Sequence, residues 1–141
     1  MKAIMMFSRG LFVMARSQFT VLMVEDTLEY AQLNLMVLRR QGFNVFHVAD
    51  GDTAFAFLEE HKPDLILLDL NLPHVSGWDI LSHCNALYGE GSTRVIVTSA
   101  YSDSANRIVG KLQDVYRYLI KPFTPQDLVK AIDNALGIET A

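Results

Sequence analysis

LILLD, residues 65–69, runs four long apolar side chains straight into an acid, just after a proline at position 63. Four consecutive apolar residues over 65–68 fit a strand buried on both faces better than one that alternates between core and solvent. Pro63 stops any helix that precedes it. A parallel sheet covered on both sides is therefore expected, with Asp69 at the carboxyl end of one strand. Outward from this stretch, residues 20–24 (TVLMV) form a near-continuous apolar run of the same kind, and residues 94–98 (RVIVT) a third. Residues 44–48 (NVFHV) alternate more, as suits a strand nearer an edge, and residues 116–120 supply a fifth.

Segments of helical period separate these runs, the pattern of β-α units. Residues 27–40 place Leu28, Ala31, Leu35 and Leu38 on one face, and Gly42 follows where a left-handed cap is wanted. Residues 50–60 place Ala54, Phe57 and Leu58 at helical spacing behind Asp50 or Asp52 as cap. Residues 75–87 follow a proline-bearing loop, and 102–112 give a further helix interrupted by Gly110. Thr124-Pro125 sets a capping hydroxyl before a proline at the first helical position, and Leu128, Ile132 and Ala135 carry that face to Gly137. Five such units fold as an open doubly wound sheet with right-handed crossovers. Its ligand crevice lies at the carboxyl ends of the strands, where strand order reverses.

The chain has 141 residues, half of them hydrophobic, which is one domain with one sizeable core. Twelve Lys and Arg against 16 Asp and Glu, a formal charge of −4, leave no basic stripe for nucleic-acid phosphates, so this chain alone is not expected to bind DNA or RNA. The single cysteine, Cys84, excludes an internal disulfide and any zinc site of paired cysteines, and reads as a buried structural thiol. No run reaches the ~18–20 apolar residues needed to span a bilayer, so a cytoplasmic protein without membrane insertion is expected. Residues 1–18 read as an arm, 19–137 as one domain and 138–141 as a tail. The arm is apolar and basic, without an acid, but its apolar runs fall short of a signal-peptide core. An upstream-start artefact, a flexible arm and a short amphipathic helix all fit it.

The strand ends carry the chemistry. The first ends in Glu25-Asp26, the third in Asp69, the fourth in Thr98-Ser99 and the fifth in Lys121-Pro122. Carboxylates crowded at one edge raise each other's pKa unless a cation intervenes. Oxygen ligands favour magnesium, calcium or manganese, and few protein oxygens with remaining waters is the habit of magnesium, an ion that works with phosphate. Lys121 offers a mobile charge able to pair with a carboxylate or with phosphoryl oxygens, and Thr98 or Ser99 a donor. A nucleophilic carboxylate, a metal and two groups for the transferred oxygens make a site for forming an aspartyl phosphate.

The segments VLMVED (21–26), LILLDLNLPHVSGWDIL (65–81), VIVTSA (95–100) and YLIKPF (118–123) together resemble the receiver domain of two-component response regulators, of the single-domain, chemotaxis-regulator type. Pro73 and Gly77 stand four and eight positions after Asp69, and Lys121 stands 52 after it, in line with that family's pattern. The resemblance implies a flavodoxin-like fold, a five-stranded parallel sheet of order 2-1-3-4-5 with five helices. It implies that Asp69 is the phosphoacceptor, loaded from a histidine kinase or histidine phosphotransfer protein. Mg2+, or Mn2+, would be held by Asp26, Asp69 and the backbone carbonyl of Asn71, with Glu25 acting through water.

By the same resemblance Lys121 contacts the phosphoryl group and Pro122 follows a cis peptide bond. The family's switch hydroxyl, 22 positions before the lysine, falls on Ser99, and its aromatic switch, three before the lysine, on Tyr118. Phosphorylation would draw Ser99 inward and let Tyr118 fill the space. That would remodel the surface of the fourth helix, fifth strand and fifth helix for a downstream protein or a second copy of the chain. Glu25 replaces the commoner Asp, and Ser99 the commoner Thr. Tyr101, with Asn71, borders the route of water to the phosphoryl group, so both are expected to tune dephosphorylation.

Two other functions compete. A haloacid dehalogenase-type phosphatase needs a second acid two positions after its nucleophile, and Asn71 occupies that place. A receiver-like interaction module that never accepts phosphate would not need Asp26, Asp69, Ser99 and Lys121 together. A signalling domain, not a metabolic enzyme, is expected. His74 reads as an exposed loop residue, His47, His61 and His83 as surface residues, and Trp78 as the anchor of the third helix.

Overall fold

The computed structural model describes residues 10, 14–72, 74–100 and 114–138. In chain order the elements are β1 (Thr20–Val24), α1 (Leu28–Arg40), β2 (Asn44–Val48), α2 (Gly51–Glu60), β3 (Leu65–Asp69), α3 (Gly77–Tyr88), β4 (Arg94–Ser99), β5 (Arg117–Ile120) and α4 (Pro125–Leu136). The strands pair parallel in the order β2-β1-β3-β4-β5, the flavodoxin-like, doubly wound arrangement. Four of the five expected helices are α1 to α4. The one expected over 102–112 lies outside the described residues, as do Tyr101 and Pro73.

Alternation along the strands sorts the core into two layers. Val21, Met23, Leu65, Leu67, Ile96 and Leu119 pack against α1 and α4 through Ala31, Leu38, Leu128 and Ile132. Leu22, Val24, Ile66, Leu68, Val95 and Val97 pack against α2 and α3 through Ala54, Leu58, Ile80 and Leu81. All five residues of β3 are buried, as the central place of that strand demands. Cys84 sits in the second layer at 2% exposure, and burial raises its thiol pKa.

Side-chain caps set the starts of α2, α3 and α4. Asp50 accepts from the Thr53 N–H at 2.8 Å, and Thr124 with Asp127 forms a capping box. The third helix begins at Gly77 rather than at 75, because Ser76 takes the cap position and accepts from the Trp78 N–H. Gly51 has a steric reason to lack a side chain: a Cβ there would meet the Val75 Cβ at 2.6 Å. The first turn of α2 thereby supports the loop that follows Asp69.

Both expected chain ends reach further into the fold. Arg16, assigned to the arm, is 7% exposed. Its guanidinium donates to both Asp133 oxygens, at 3.1 and 2.7 Å, and to the Gln41 side chain at 3.0 Å. Ile138, assigned to the tail, is buried in the α1/α4 layer. Gly137 turns the chain at φ 73°, and the Ile138 N–H returns to the Asp133 carbonyl at 2.8 Å, folding the apolar side chain back onto the core. A core extending past a helix cap is invisible to a boundary drawn at the capping glycine.

Candidate functional site

Parallel pairing aligns the carboxyl ends of β1, β3, β4 and β5 along one edge of the sheet. Glu25 follows β1, and its N–H donates to the Val48 carbonyl, which keeps the chain in register one residue past the strand. Asp69 is the last residue of β3, paired with Thr98 on β4. Lys121 follows β5, and its N–H donates to the Ser99 carbonyl at 2.8 Å. The Lys121–Pro122 peptide is cis.

Carboxylate oxygens of Glu25, Asp26 and Asp69 lie within 4.8 Å of one another. Glu25 and Asp69 are 3% and 2% exposed, while Asp26 faces solvent. The Lys121 ammonium lies between the two buried acids, 2.8 Å from Glu25 Oε1 and 3.4 Å from Asp69 Oδ2. The Asn71 N–H donates to Asp69 Oδ1 at 3.0 Å, so the loop after β3 closes back on its own acid. Lys121 thus occupies one of the two roles the sequence allowed it, as partner of a carboxylate.

One ammonium does not balance two buried carboxylates. Burial pushes the Glu25 carboxyl up to about 7, and its hydrogen bond to Asp69 adds to the rise against the pull of Lys121. Burial acts to raise Asp69 as well, but hydrogen bonds from Glu25 and the Asn71 N–H, with the charge of Lys121, hold it below the ordinary carboxylate value. Burial would lower Lys121, and its pairing with Glu25 and Asp69 raises it instead. Asp69 is the anionic member of the pair and Glu25 the member that keeps a proton. A divalent cation fits this donor set: three carboxylates converge at one edge, and burial and mutual proximity hold the Glu25 carboxyl well above its ordinary value.

Ser99 closes β4 and Tyr118 faces Val97 across the β4–β5 ladder, two residues from the Ser99–Ile120 pair. Ser99 is 6% exposed, and Tyr118 packs on the layer of α2 and α3. Thr98 is also buried, and strand alternation sends it toward the opposite layer. Among the other candidates, His74 is exposed with φ 69°, and Trp78 packs on the α2/α3 layer. Tyr101, expected to tune dephosphorylation, falls outside the described residues.

Two neighbours of the site escaped the sequence reading. His47, taken as a surface residue, is half-buried, with Nε2 2.7 Å from the Glu25 carbonyl oxygen; the carbonyl can only accept, so this nitrogen carries the hydrogen. Register pairs His47 with Met23, two residues before Glu25, but only the pairing reveals it. Tyr30 presents its ring to the Lys121 ammonium at 4.6 Å. It stands four residues after Asp26, one helical turn on, a spacing that was available to find it. His83, also taken as a surface residue, has Nε2 2.8 Å from a Glu59 carboxylate oxygen and lies far from this edge.

Comparison with known proteins agrees with the fold. The response regulator receiver domain family matches over residues 21–133. The DNA-binding response regulator MtrA of Mycolicibacterium paratuberculosis is 32% identical over 112 residues, 79% of this chain and 48% of MtrA. The chain therefore spans about half the length of the curated relatives it matches. The chemotaxis protein CheY4 of Vibrio cholerae superimposes with a TM-score of 0.78 at 25% identity, over 84% of this chain and 98% of that one. The receiver domain of sensor histidine kinase PA1611 from Pseudomonas aeruginosa, whose structure holds a magnesium ion in the active-site cleft, gives 0.75 at 27% identity, over 84% and 98%. With the family matched over residues 21–133 and the sheet order in agreement, this chain belongs to the response regulator receiver domain family.

Proposed function

We propose that Asp69 accepts a phosphoryl group from a phosphohistidine of a histidine kinase or histidine phosphotransfer protein, in phosphorelay signalling. The observation that carries this reading is the pair of buried carboxylates, Glu25 and Asp69, sharing one ammonium at the carboxyl edge of the sheet. In the transfer, an Asp69 oxygen bonds to phosphorus while the bond from phosphorus to the histidine nitrogen breaks. The leaving imidazole takes its proton from solvent. Lys121, already 3.4 Å from Asp69, turns to the phosphoryl oxygens and offsets their charge. The Asn71 N–H fixes the other carboxylate oxygen, so the attacking one is held in place.

Asp26, Asp69 and the Asn71 carbonyl, with Glu25 through water, would hold Mg2+ or Mn2+. When bound, the ion supplies the positive charge that lets an anionic nucleophile meet an anionic phosphoryl group. Ser99 and Tyr118 then couple the loaded site to the surface of β5 and α4, where a downstream protein or a second copy of the chain would bind. This reading makes the domain a cytoplasmic phosphoacceptor whose only catalysis is on its own phosphoryl group, without nucleic-acid binding by this chain. Among the described residues, no helix is long and apolar enough to cross a membrane.

Incubation with magnesium and acetyl phosphate, followed by intact mass measurement, tests the reading. Wild type is expected to gain one phosphoryl group and Asp69→Asn none. An unlabelled wild type would leave the interaction module as the better account, and a labelled Asp69→Asn would assign the phosphoryl group to another residue; either overturns the reading.

A further inference from the structure

Among the described residues, three groups surround the Lys121 ammonium in this site, and they differ in kind. Glu25 Oε1 at 2.8 Å and Asp69 Oδ2 at 3.4 Å are carboxylic oxygens, and both belong to the trio that a divalent cation would engage. The third is the ring face of Tyr30, whose centroid lies 4.6 Å from the ammonium nitrogen, inside the ~6 Å reach of a cation–π contact. The Lys121 side chain is only 12% exposed, so water competes weakly for this charge. A hard cation prefers oxygen and gains nothing from a π-face. Metal binding would therefore take Glu25 away from Lys121 and leave Tyr30 in place.

We propose that Tyr30 is a positioning residue for Lys121: its ring keeps the ammonium beside Asp69 when a divalent cation engages the carboxylates. This rests on the phosphoryl-accepting reading of the site. The helix makes the placement firm. Tyr30 is the third residue of α1, and the following residue, Ala31, is fully buried against the sheet and donates its N–H to the Thr27 carbonyl at 3.0 Å. The ring therefore stands on a fixed backbone, whereas the lysine it meets has four rotatable carbons. Without the ring, the ammonium would sample solvent once the metal had displaced it from Glu25, and fewer encounters with acetyl phosphate would find it in position.

The test uses the full chain as wild type, Tyr30→Phe, which keeps the ring, and Tyr30→Leu, which keeps apolar bulk without it. Two readouts are taken at saturating magnesium: the rate of labelling by acetyl phosphate, followed by intact mass, and the NMR shift of the Lys121 ε-methylene protons, which an aromatic face displaces. Tyr30→Leu should label roughly three- to tenfold more slowly, the effect of losing a partly desolvated cation–π contact, and should lose the ring-induced shift. Tyr30→Phe should retain the shift and label within about twofold of wild type. A Tyr30→Leu protein that labels like wild type, or a Tyr30→Phe protein as slow as Tyr30→Leu, overturns the positioning role. A wild type without the shift in magnesium overturns it too. A wild type that takes no phosphoryl group overturns the underlying reading, and the positioning role with it.

Discussion

Two buried ion pairs sit at opposite ends of the sheet, and they are built on different arithmetic. Near the amino-terminal end, Arg16 meets Asp133 with two hydrogen bonds, a further nitrogen goes to Gln41, and the guanidinium lies over the Phe43 ring at 5.5 Å. Among the described residues one cation faces one anion, and the fork geometry of the guanidinium matches the carboxylate. At the carboxyl end, Lys121 faces two buried carboxylates, with Asp26 at the rim. The first pair is complete and ties the segment before β1 to α1 and α4. The second is short of positive charge, so it is a place where a cation or a charge-altering reaction lowers the free energy. Buried charge alone does not separate scaffold from site; the balance of charge does.

Breaking the complete pair should have the largest effect. Arg16→Ala leaves Asp133, which is fully buried, without its counter-charge. It should cost about 3–5 kcal/mol in urea denaturation, while the double change Arg16→Met with Asp133→Leu should recover most of the loss. The incomplete pair should show itself through pH. The Glu25 pKa is raised from 4.5 to about 7, so between those values the folded state binds more protons than the unfolded one. Stability contributed by this group is present below pH 4.5 and lost as pH rises through about 7, by roughly 3 kcal/mol in metal-free protein. Glu25→Gln should remove that fall. Asp69, shifted the opposite way, adds its own dependence only below its unfolded value of 3.8.

The smallest effect sharpens the contrast. Magnesium at about ten times its dissociation constant should raise unfolding free energy by about 1.4 kcal/mol, as measured by the same urea titration. The increment should shrink in Asp26→Asn and persist unchanged in Arg16→Ala, since the two pairs share no partner among the described residues. An increment lost in Arg16→Ala would mean that the two ends of the sheet are coupled.

These two ends were not equally legible in the sequence. Glu25, Asp26, Asp69, Ser99 and Lys121 each follow an apolar run, so recognising the strands was enough to bring them to one edge. The strand bounds 20–24 and 44–48 were readable to the residue. Arg16 and Asp133 are 117 positions apart, in a segment and a helix that local pattern gives no reason to join. Ile138 lies past the glycine that caps the last helix, and its burial depends on the backbone reversal at Gly137. Tyr30 and His47 needed the pitch of α1 and the register of β2 relative to the site. Side chains whose role is set by strand ends are readable one at a time; those set by packing between elements are not.

The sheet order also sets how freely different parts of the chain can drift. Asp69 ends the central strand, whose five residues are all buried between two neighbouring strands. Nearly every substitution there meets packed side chains. β5, which leads to Lys121, has four residues, pairs on one side with β4, and exposes Arg117 and Ile120. Its outer face can be rewritten over generations while the carboxylate at the centre stays where it is. A lineage built on this frame can therefore change what its surface says without relearning its chemistry.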